Sequence, residues 1–313
     1  MRNSFINAIM EASTRRDDIF VISGDAGLGV FDTFKAEHPD RFLNLGVAEQ
    51  NMASFAAGLA MTGYKVVLYN IIPFLLYRCY EQVRNDICYQ NLPIILAGIG
   101  SGLTYSPQGM THYSVEDLGI ARTLPNLSVL SPIDPVEARL AAGFALSSDT
   151  PVYVRLAKRG EPEIHTRSDF DISIPQVLSE GSGTALLFHG SIGEEVLRAA
   201  LLLKEQGIVP RVISVPLVQP LNFAVLGELL GGISNLVTVE EHYHSCGLGS
   251  TLREFCTQGG RSFSLTTLGI APRYIHEVHD NRGMRKLFGI DAEQIAAAVQ
   301  LASECGSADG RRP

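Results

Sequence analysis

Arg41-Phe-Leu-Asn-Leu-Gly-Val-Ala-Glu-Gln-Asn-Met-Ala-Ser-Phe-Ala-Ala-Gly-Leu-Ala-Met-Thr-Gly63 reads as a strand, a turn and a helix. Phe42 to Leu45 is short and apolar, and Gly46 breaks it. Ala48, Met52, Phe55, Ala56 and Leu59 then recur at helical spacing, so a buried strand feeds directly into a helix. Glu49 falls in that helix's first turn, where a carboxylate is favoured by the field of the helix N-terminus. At the carboxyl end of a sheet strand it would also face the crevice where open α/β folds bind ligands. Position alone favours an ordinary first-turn acid. The small residues beyond it, Ala53, Ala56, Ala57, Gly58 and Ala60, suit close packing against the sheet or against a second subunit.

Working outward, the 313 residues are enough for about two domains. With 46% hydrophobic and 19% charged residues, the composition is that of an ordinary soluble protein. A net charge of −8 with no run of Lys or Arg argues against nucleic acid or an acidic membrane surface as partner. The longest apolar runs, around Ile71–Tyr77 and Leu92–Ile99, are too short to cross a bilayer. The N-terminus lacks the apolar core of a signal peptide. Five cysteines without a Cys-x-x-Cys pair fit a reducing compartment, so a cytoplasmic location is expected.

Apolar runs alternate with helical patterns, which predicts an α/β protein: two doubly wound domains, each a largely parallel sheet between helices. After a helix at Arg2–Thr14, strands are expected near Ile19–Ser23, Phe42–Leu45, Val66–Tyr69, Ile94–Gly98, Leu127–Leu130 and Val152–Arg155. The helix after Pro132 has a complete start signal, with Asp134 as cap, Pro135 in its first position and Glu137 where a capping box places its acid. The first domain ends at residue 157, and 158–180, polar and broken by Pro162 and Pro175, reads as a linker. A second α/β unit, 181–305, should hold strands at Thr184–His189, Arg211–Val215, Asn235–Glu240 and Ser262–Leu268. Its helices fall near Glu194–Gln206, Ala224–Leu230, Gly249–Thr257 and Asp291–Glu304. The last segment, 306–313, reads as a disordered tail.

A dinucleotide fingerprint fails: Gly98 and Gly100 are correctly spaced, but Leu103 stands where a third Gly is needed. There is no Gly-Lys-Ser/Thr phosphate loop, and no serine stands in a Gly-x-Ser-x-Gly elbow. Unusual residues do collect at the carboxyl ends of the first domain's strands. Asp25 follows the first, Glu49 the second, Phe74 and Tyr77 the third, Gln108 and His112 the fourth, so all should converge on one rim. The three-residue spacing of Phe74 and Tyr77 places both rings on one helix face, able to stack on a flat heterocycle; both also suit a core. The Gly-, Ser- and Thr-rich loop Gly98–Ser114 carries His112 and leads into Glu116-Asp117 at a helix start, an arrangement that would hold the imidazole over the crevice. His242, His244 and Cys246 fit no standard zinc spacing and read as a loop at a subunit contact; His276 and His279 are no stronger as ligands.

Several of these segments, taken together, resemble transketolases. They are Asn44-Leu-Gly-Val-Ala-Glu-Gln-Asn-Met52, Tyr80-Glu-Gln-Val-Arg-Asn-Asp-Ile87, Gly109-Met-Thr-His112 with Glu116-Asp117, and Leu124-Pro-Asn-Leu-Ser-Val-Leu-Ser-Pro132. The likeness is closest to split, two-chain forms and to deoxyxylulose-phosphate synthase. It extends to Val237-Thr-Val-Glu-Glu-His242 and Gly247-Leu-Gly-Ser250, which look like the family's C-terminal domain. The resemblance implies a thiamine-diphosphate enzyme that transfers a two-carbon ketol or acyl unit from a ketose or ketoacid donor to an aldehyde-type acceptor. It makes Glu49 the acid hydrogen-bonded to the cofactor's aminopyrimidine ring, favouring the imino tautomer that removes the thiazolium proton. Phe74, Tyr77 and Ile71 would wall that ring, Ile71 standing where transketolases often carry a second Phe. His112 would contact substrate oxygens, and Asp25 would lie near cofactor and dimer interface.

The family holds the diphosphate through Mg²⁺ with a Gly-Asp-Gly motif followed about 25–30 residues later by Asn, and this sequence has no match to it. The resemblance therefore implies half an enzyme. A separate N-terminal transketolase-like subunit would carry the Mg²⁺ and diphosphate, with an active site between chains in a heterotetramer built on self-association of this domain. Gln108 stands where transketolases place an Asp that reads a donor hydroxyl, Gly100 where they place a His, and Gly29 where a phosphate-binding Ser lies. Lys158 roughly matches a phosphate-binding Arg. These departures point away from an ordinary pentose phosphate. Two alternatives remain open from the residues: the second subunit of a 2-oxoacid dehydrogenase's decarboxylating component, and a non-catalytic scaffold of the same fold.

Overall fold

The computed structural model describes residues 1–27, 29–158, 160–258 and 263–309. Among them, twelve strands form two sheets. The first sheet contains β1 (Ile19–Ser23), β2 (Phe42–Asn44), β3 (Lys65–Ile71), β4 (Ile94–Ile99), β5 (Ser128–Leu130) and β6 (Val152–Leu156). The second contains β7 (Gln176–Ser179), β8 (Gly183–Phe188), β9 (Arg211–Ser214), β11 (Ile233–Tyr243) and β12 (Ser264–Ile270), while β10 (Leu217–Gln219) crosses back to the first. The first sheet runs β10-β5-β6-β4-β3-β1-β2, parallel throughout except for β10; the second runs β12-β11-β8-β9-β7, parallel except for β7.

Alternation of side chains along each strand divides the core between two faces. Val67 and Tyr69 of β3 pack with Ile19 and Val21 beneath helices Arg2–Ser13 and Pro135–Ser147. Val66 and Leu68 face the other way, with Ile22, onto the small-residue face of helix Glu49–Met61, where Ala53, Ala56, Ala57 and Ala60 let it lie close. Strands buried on both faces are the physical reason their sequences read as continuous apolar runs.

The expected strands and principal helices are all present within a few residues of their predicted ends; Ser262, the expected start of β12, lies outside the described residues. Three elements had no sequence signal strong enough to announce them. Segment β7 lies within 158–180, so the second sheet begins inside the stretch that reads as a linker. Strand β10 supplies the otherwise open edge of β5, and Ser131 N–H donates to Pro216 O at 2.7 Å beside it. Helix Asn281–Leu287 is capped by Asp280, whose side chain accepts from Gly283 N–H. The final helix runs Ala292–Asp309, into the segment expected to be a disordered tail; the rest of that tail, 310–313, lies outside the described residues. Among the described residues no helix is long and apolar enough to cross a membrane.

Asp134 caps the helix as predicted, while Glu137 reaches back one residue beyond the cap, and the pair does a second task. Asp134 Oδ1 accepts from Glu137 N–H at 2.8 Å, and Glu137 Oε2 accepts from Ile133 N–H at 2.9 Å. Asp134 Oδ2 accepts from Ile164 and His165 N–H at 2.9 and 2.8 Å, clasping the interdomain segment to the helix start. The His165 ring lies between Asp134 and Glu137, with Nδ1 3.2 Å from one carboxylate and Nε2 3.6 Å from the other.

Burial pushes the Glu137 carboxyl up to about 7. Burial works against a charged His165, but the hydrogen bond to Asp134 and the Glu137 charge raise its imidazole overall. Both groups bind protons more tightly folded than unfolded. Their contribution is therefore complete at low pH and is lost as pH rises through the folded values. Stability to denaturant should fall by about 2–3 kcal/mol between roughly pH 5 and pH 8, and Glu137→Gln should flatten the decline; equal slopes in the two proteins would refute this assignment.

A second buried polar cluster joins the domains. Arg155, fully buried on β6, donates from Nε to Asp117 Oδ2 at 2.7 Å and from Nη2 to Ser114 O and Glu241 O at 3.2 and 3.0 Å. Tyr153 O–H donates to the same Asp117 oxygen at 2.7 Å. Asp117→Ala would leave a buried guanidinium without its counter-charge, and should cost about 3–5 kcal/mol in urea-unfolding free energy. Adding Arg155→Met should recover part of that loss; no recovery would show that the coupling is not between these two charges.

Candidate active site

In the first sheet the chain order reverses at β1, which has β2 on one side and β3 on the other. The carboxyl ends of β1 and β3 are the switch point where such sheets leave a crevice for a ligand. Gly46, at φ +65°, makes the tight turn out of β2 that brings Glu49 to the start of its helix at this rim. The Glu49 side chain is only 6% exposed. A carboxylate so buried needs a donor, and Arg78 provides one, with Nη1 2.9 Å from Oε2.

The segment after β3 explains why Arg78 is there. Pro73–Tyr77 is a single π-helical turn, closed by the bond from Arg78 N–H to Pro73 O at 3.1 Å. Such widened turns recur at functional sites. The turn brings the Arg78 guanidinium back over the Phe74 ring, 4.6 Å from its centroid. It also separates the two rings expected to share a face. Phe74 meets the edge of His112, with centroids 5.6 Å apart, whereas Tyr77 donates its hydroxyl to Glu116 Oε2 at 3.0 Å. Widening of the turn rotates position 77 away from position 74, and the α-helical spacing rule does not hold across it.

His112 is half-buried, with Nδ1 2.9 Å from Thr111 Oγ1. The acidic pair after it anchors the segment without touching the imidazole: Glu116 takes Tyr77 and Val115 N–H, and Asp117 takes Arg155 and Tyr153. Tyr105 lies 6.4 Å from the His112 ring, centroid to centroid, and carries Lys158 Nζ 4.8 Å above its own ring. Gly100 has φ +94°, and a Cβ there would collide with the Tyr105 ring. This accounts physically for glycine at that position: no larger residue fits while Tyr105 packs there.

The structure thus gathers Glu49, Phe74 and His112, with Lys158 joined through Tyr105. Ile71 closes β3 and is half-buried. Gln108 is exposed at the end of a short 3-10 turn, Ser106–Gln108, and Asp25 is exposed just past β1; among the described residues neither side chain has a hydrogen bond or ion pair to the Glu49 cluster. Arg78 escaped the sequence reading because a lone Arg in a helical run carries no positional signal. His242 is held between Gly119 N–H, which its Nε2 accepts at 3.4 Å, and Tyr243 O, 2.9 Å from its Nδ1. Among the described residues no three His, Cys, Asp or Glu side chains form a metal-holding group.

Comparison with known proteins gives the family of the chain. Residues 1–161 match the family described as transketolase, pyrimidine binding domain, and residues 175–295 match transketolase, C-terminal domain. The chain is 35% identical to one of the subunits of apulose-4-phosphate transketolase from Actinobacillus succinogenes, with 94% of each chain covered. It is 34% identical to 1-deoxy-D-xylulose-5-phosphate synthase 2 of Geobacter sulfurreducens over 88% of its own length, and spans 44% of that larger protein. A solved structure described as a split gene transketolase, inactive beta4 tetramer, superposes with a TM-score of 0.86 at 29% identity, covering 97% of this chain and 98% of that one. With both domain types matched in order and a relative aligned nearly end to end, the chain belongs to the transketolase family.

Proposed function

We propose that this chain is the pyrimidine-binding half of a split thiamine-diphosphate-dependent transketolase, completed by an N-terminal subunit that holds Mg²⁺ and the diphosphate. The observation that carries the reading is the buried Glu49 carboxylate, met by a flat N–H donor that lies on Phe74 beside His112. The residues fit an aminopyrimidine on that ground, since Arg78 demonstrates that a planar donor reaches Glu49 while stacked on the ring. When bound, thiamine diphosphate would supply the nucleophilic carbon that cleaves and re-forms the ketose carbon–carbon bond.

In this reading Glu49 holds a proton shared with a pyrimidine nitrogen, and the low exposure of its carboxylate strengthens that hydrogen bond. Phe74 keeps water from one ring face. His112, held by Thr111 and wedged against Phe74, donates to substrate oxygens, and Lys158 offers a cation for a phosphorylated end. Ile71 and Tyr77 support the Phe74 turn, Asp25 faces the boundary between chains, and Gln108 lines the substrate approach. A phosphorylated ketose donor is supported by the relative named for apulose 4-phosphate. That relative is itself named as a subunit and is of nearly equal length, which supports a partner chain, and the tetramer described for the superposed protein supports self-association.

Two measurements test this. The isolated chain titrated with thiamine diphosphate and Mg²⁺ should show neither tight binding nor turnover, both of which should appear on adding the complementing subunit; tight binding and turnover by the chain alone would overturn the half-enzyme reading. In the reconstituted complex Glu49→Gln should lower kcat by about 10²–10⁴-fold while the complex still assembles, and an unimpaired variant would remove Glu49 from the chemistry.

A further inference from the structure

Arg78 lies at the rim of the fold rather than in its core. Its side chain is 45% exposed, and among the described residues its side chain meets Glu49 Oε2 and the Phe74 ring. These are the same two groups that, on the reading above, receive the aminopyrimidine. A guanidinium is flat, carries N–H donors along its edge and stacks on aromatic faces, so it matches the chemistry of a protonated aminopyrimidine edge on both counts. We propose that Arg78 is a reversible plug of the pyrimidine pocket. It satisfies the buried Glu49 carboxylate and covers Phe74 while the chain is without cofactor, and it swings to solvent when the ring takes its place.

Two physical features support this. Glu49 is nearly enclosed, and a buried carboxylate without a donor is costly, so a chain made separately from its diphosphate-binding partner needs an internal counter-charge at this position. Arg78 supplies it from the rim. The backbone supporting it departs from regular helix on both sides, with the π turn before it and Cys79 at φ −106°, ψ 16° after it. The apolar neighbours Leu75, Leu76 and Cys79 are buried in a core cluster with Ile72, Val83 and Ile87, whereas the guanidinium lies at the rim. The consequence is competition: apparent cofactor affinity is the intrinsic affinity reduced by the fraction of molecules with the plug withdrawn.

The proposal rests on the cofactor reading, and the experiment separates the two. Thiamine diphosphate with Mg²⁺ is titrated calorimetrically into the complex of this chain with its complementing subunit, as wild type and as Arg78→Ala and Arg78→Gln. The melting temperature of each full-length isolated chain is measured alongside. The plug predicts cofactor binding about three- to tenfold tighter in both variants. It also predicts a lower melting temperature for isolated Arg78→Ala, restored when Glu49→Gln is added. Unchanged or weaker cofactor binding in the variants, with or without a raised substrate KM, would overturn the plug and leave the cofactor reading standing. A wild-type complex that binds no thiamine diphosphate would overturn the cofactor reading and the plug with it.

Discussion

Arg155 is the point at which two sheets and one loop are made to agree. Its guanidinium is wholly buried and is met by the Asp117 carboxylate, the Ser114 carbonyl and the Glu241 carbonyl. These come from the helix after the His112 loop, from the loop itself and from β11 of the second domain. A buried charge is tolerated only when its partners are in place, so the loop bearing His112 can settle in few ways once β6 has formed. Glu241 extends the network, accepting from Ser191 O–H at 2.7 Å and from Arg285 Nε at 2.6 Å. The second domain thereby braces the loop of the first, although none of its described residues has a hydrogen bond or ion pair to Glu49.

The candidate site is built on the opposite principle. Its central acid is buried at a helix start, but the group that meets it is half-exposed. In the Arg155–Asp117 pair both members are enclosed, whereas in the Glu49–Arg78 pair one member reaches solvent. On the reading proposed above, this contrast would let the chain be stable before a cofactor and a partner subunit bind and give up one contact when they do. The π turn at Pro73–Tyr77 makes it possible, since it aligns Arg78 with Phe74 and sends Tyr77 inward to Glu116.

Much of this was legible before any coordinates. Doubly buried parallel strands announce themselves as apolar runs, and the start of helix Pro135–Ser147 was readable to the residue because capping is local chemistry. That Glu49, Phe74 and His112 lie near one another was legible because each follows a strand that ends at the same rim. Strands β7 and β10 were not. Both are short antiparallel additions to open edges, and such strands are stabilised by the edge they join more than by their own residues.

What the sequence determined alone is the alternation of strands and helices, the order of the two domains and the rim on which the site lies, since periodicity, caps and glycine turns are encoded over a few neighbouring residues. What only the tertiary structure decided is which charge answers which. The Arg78–Glu49 and Arg155–Asp117 pairs span 29 and 38 positions of chain, and β10 returns to the first sheet from beyond the second domain's opening strands. Such pairings are chosen by the exclusion of water from a site that exists only after the sheets have closed, and no local pattern of residues records them.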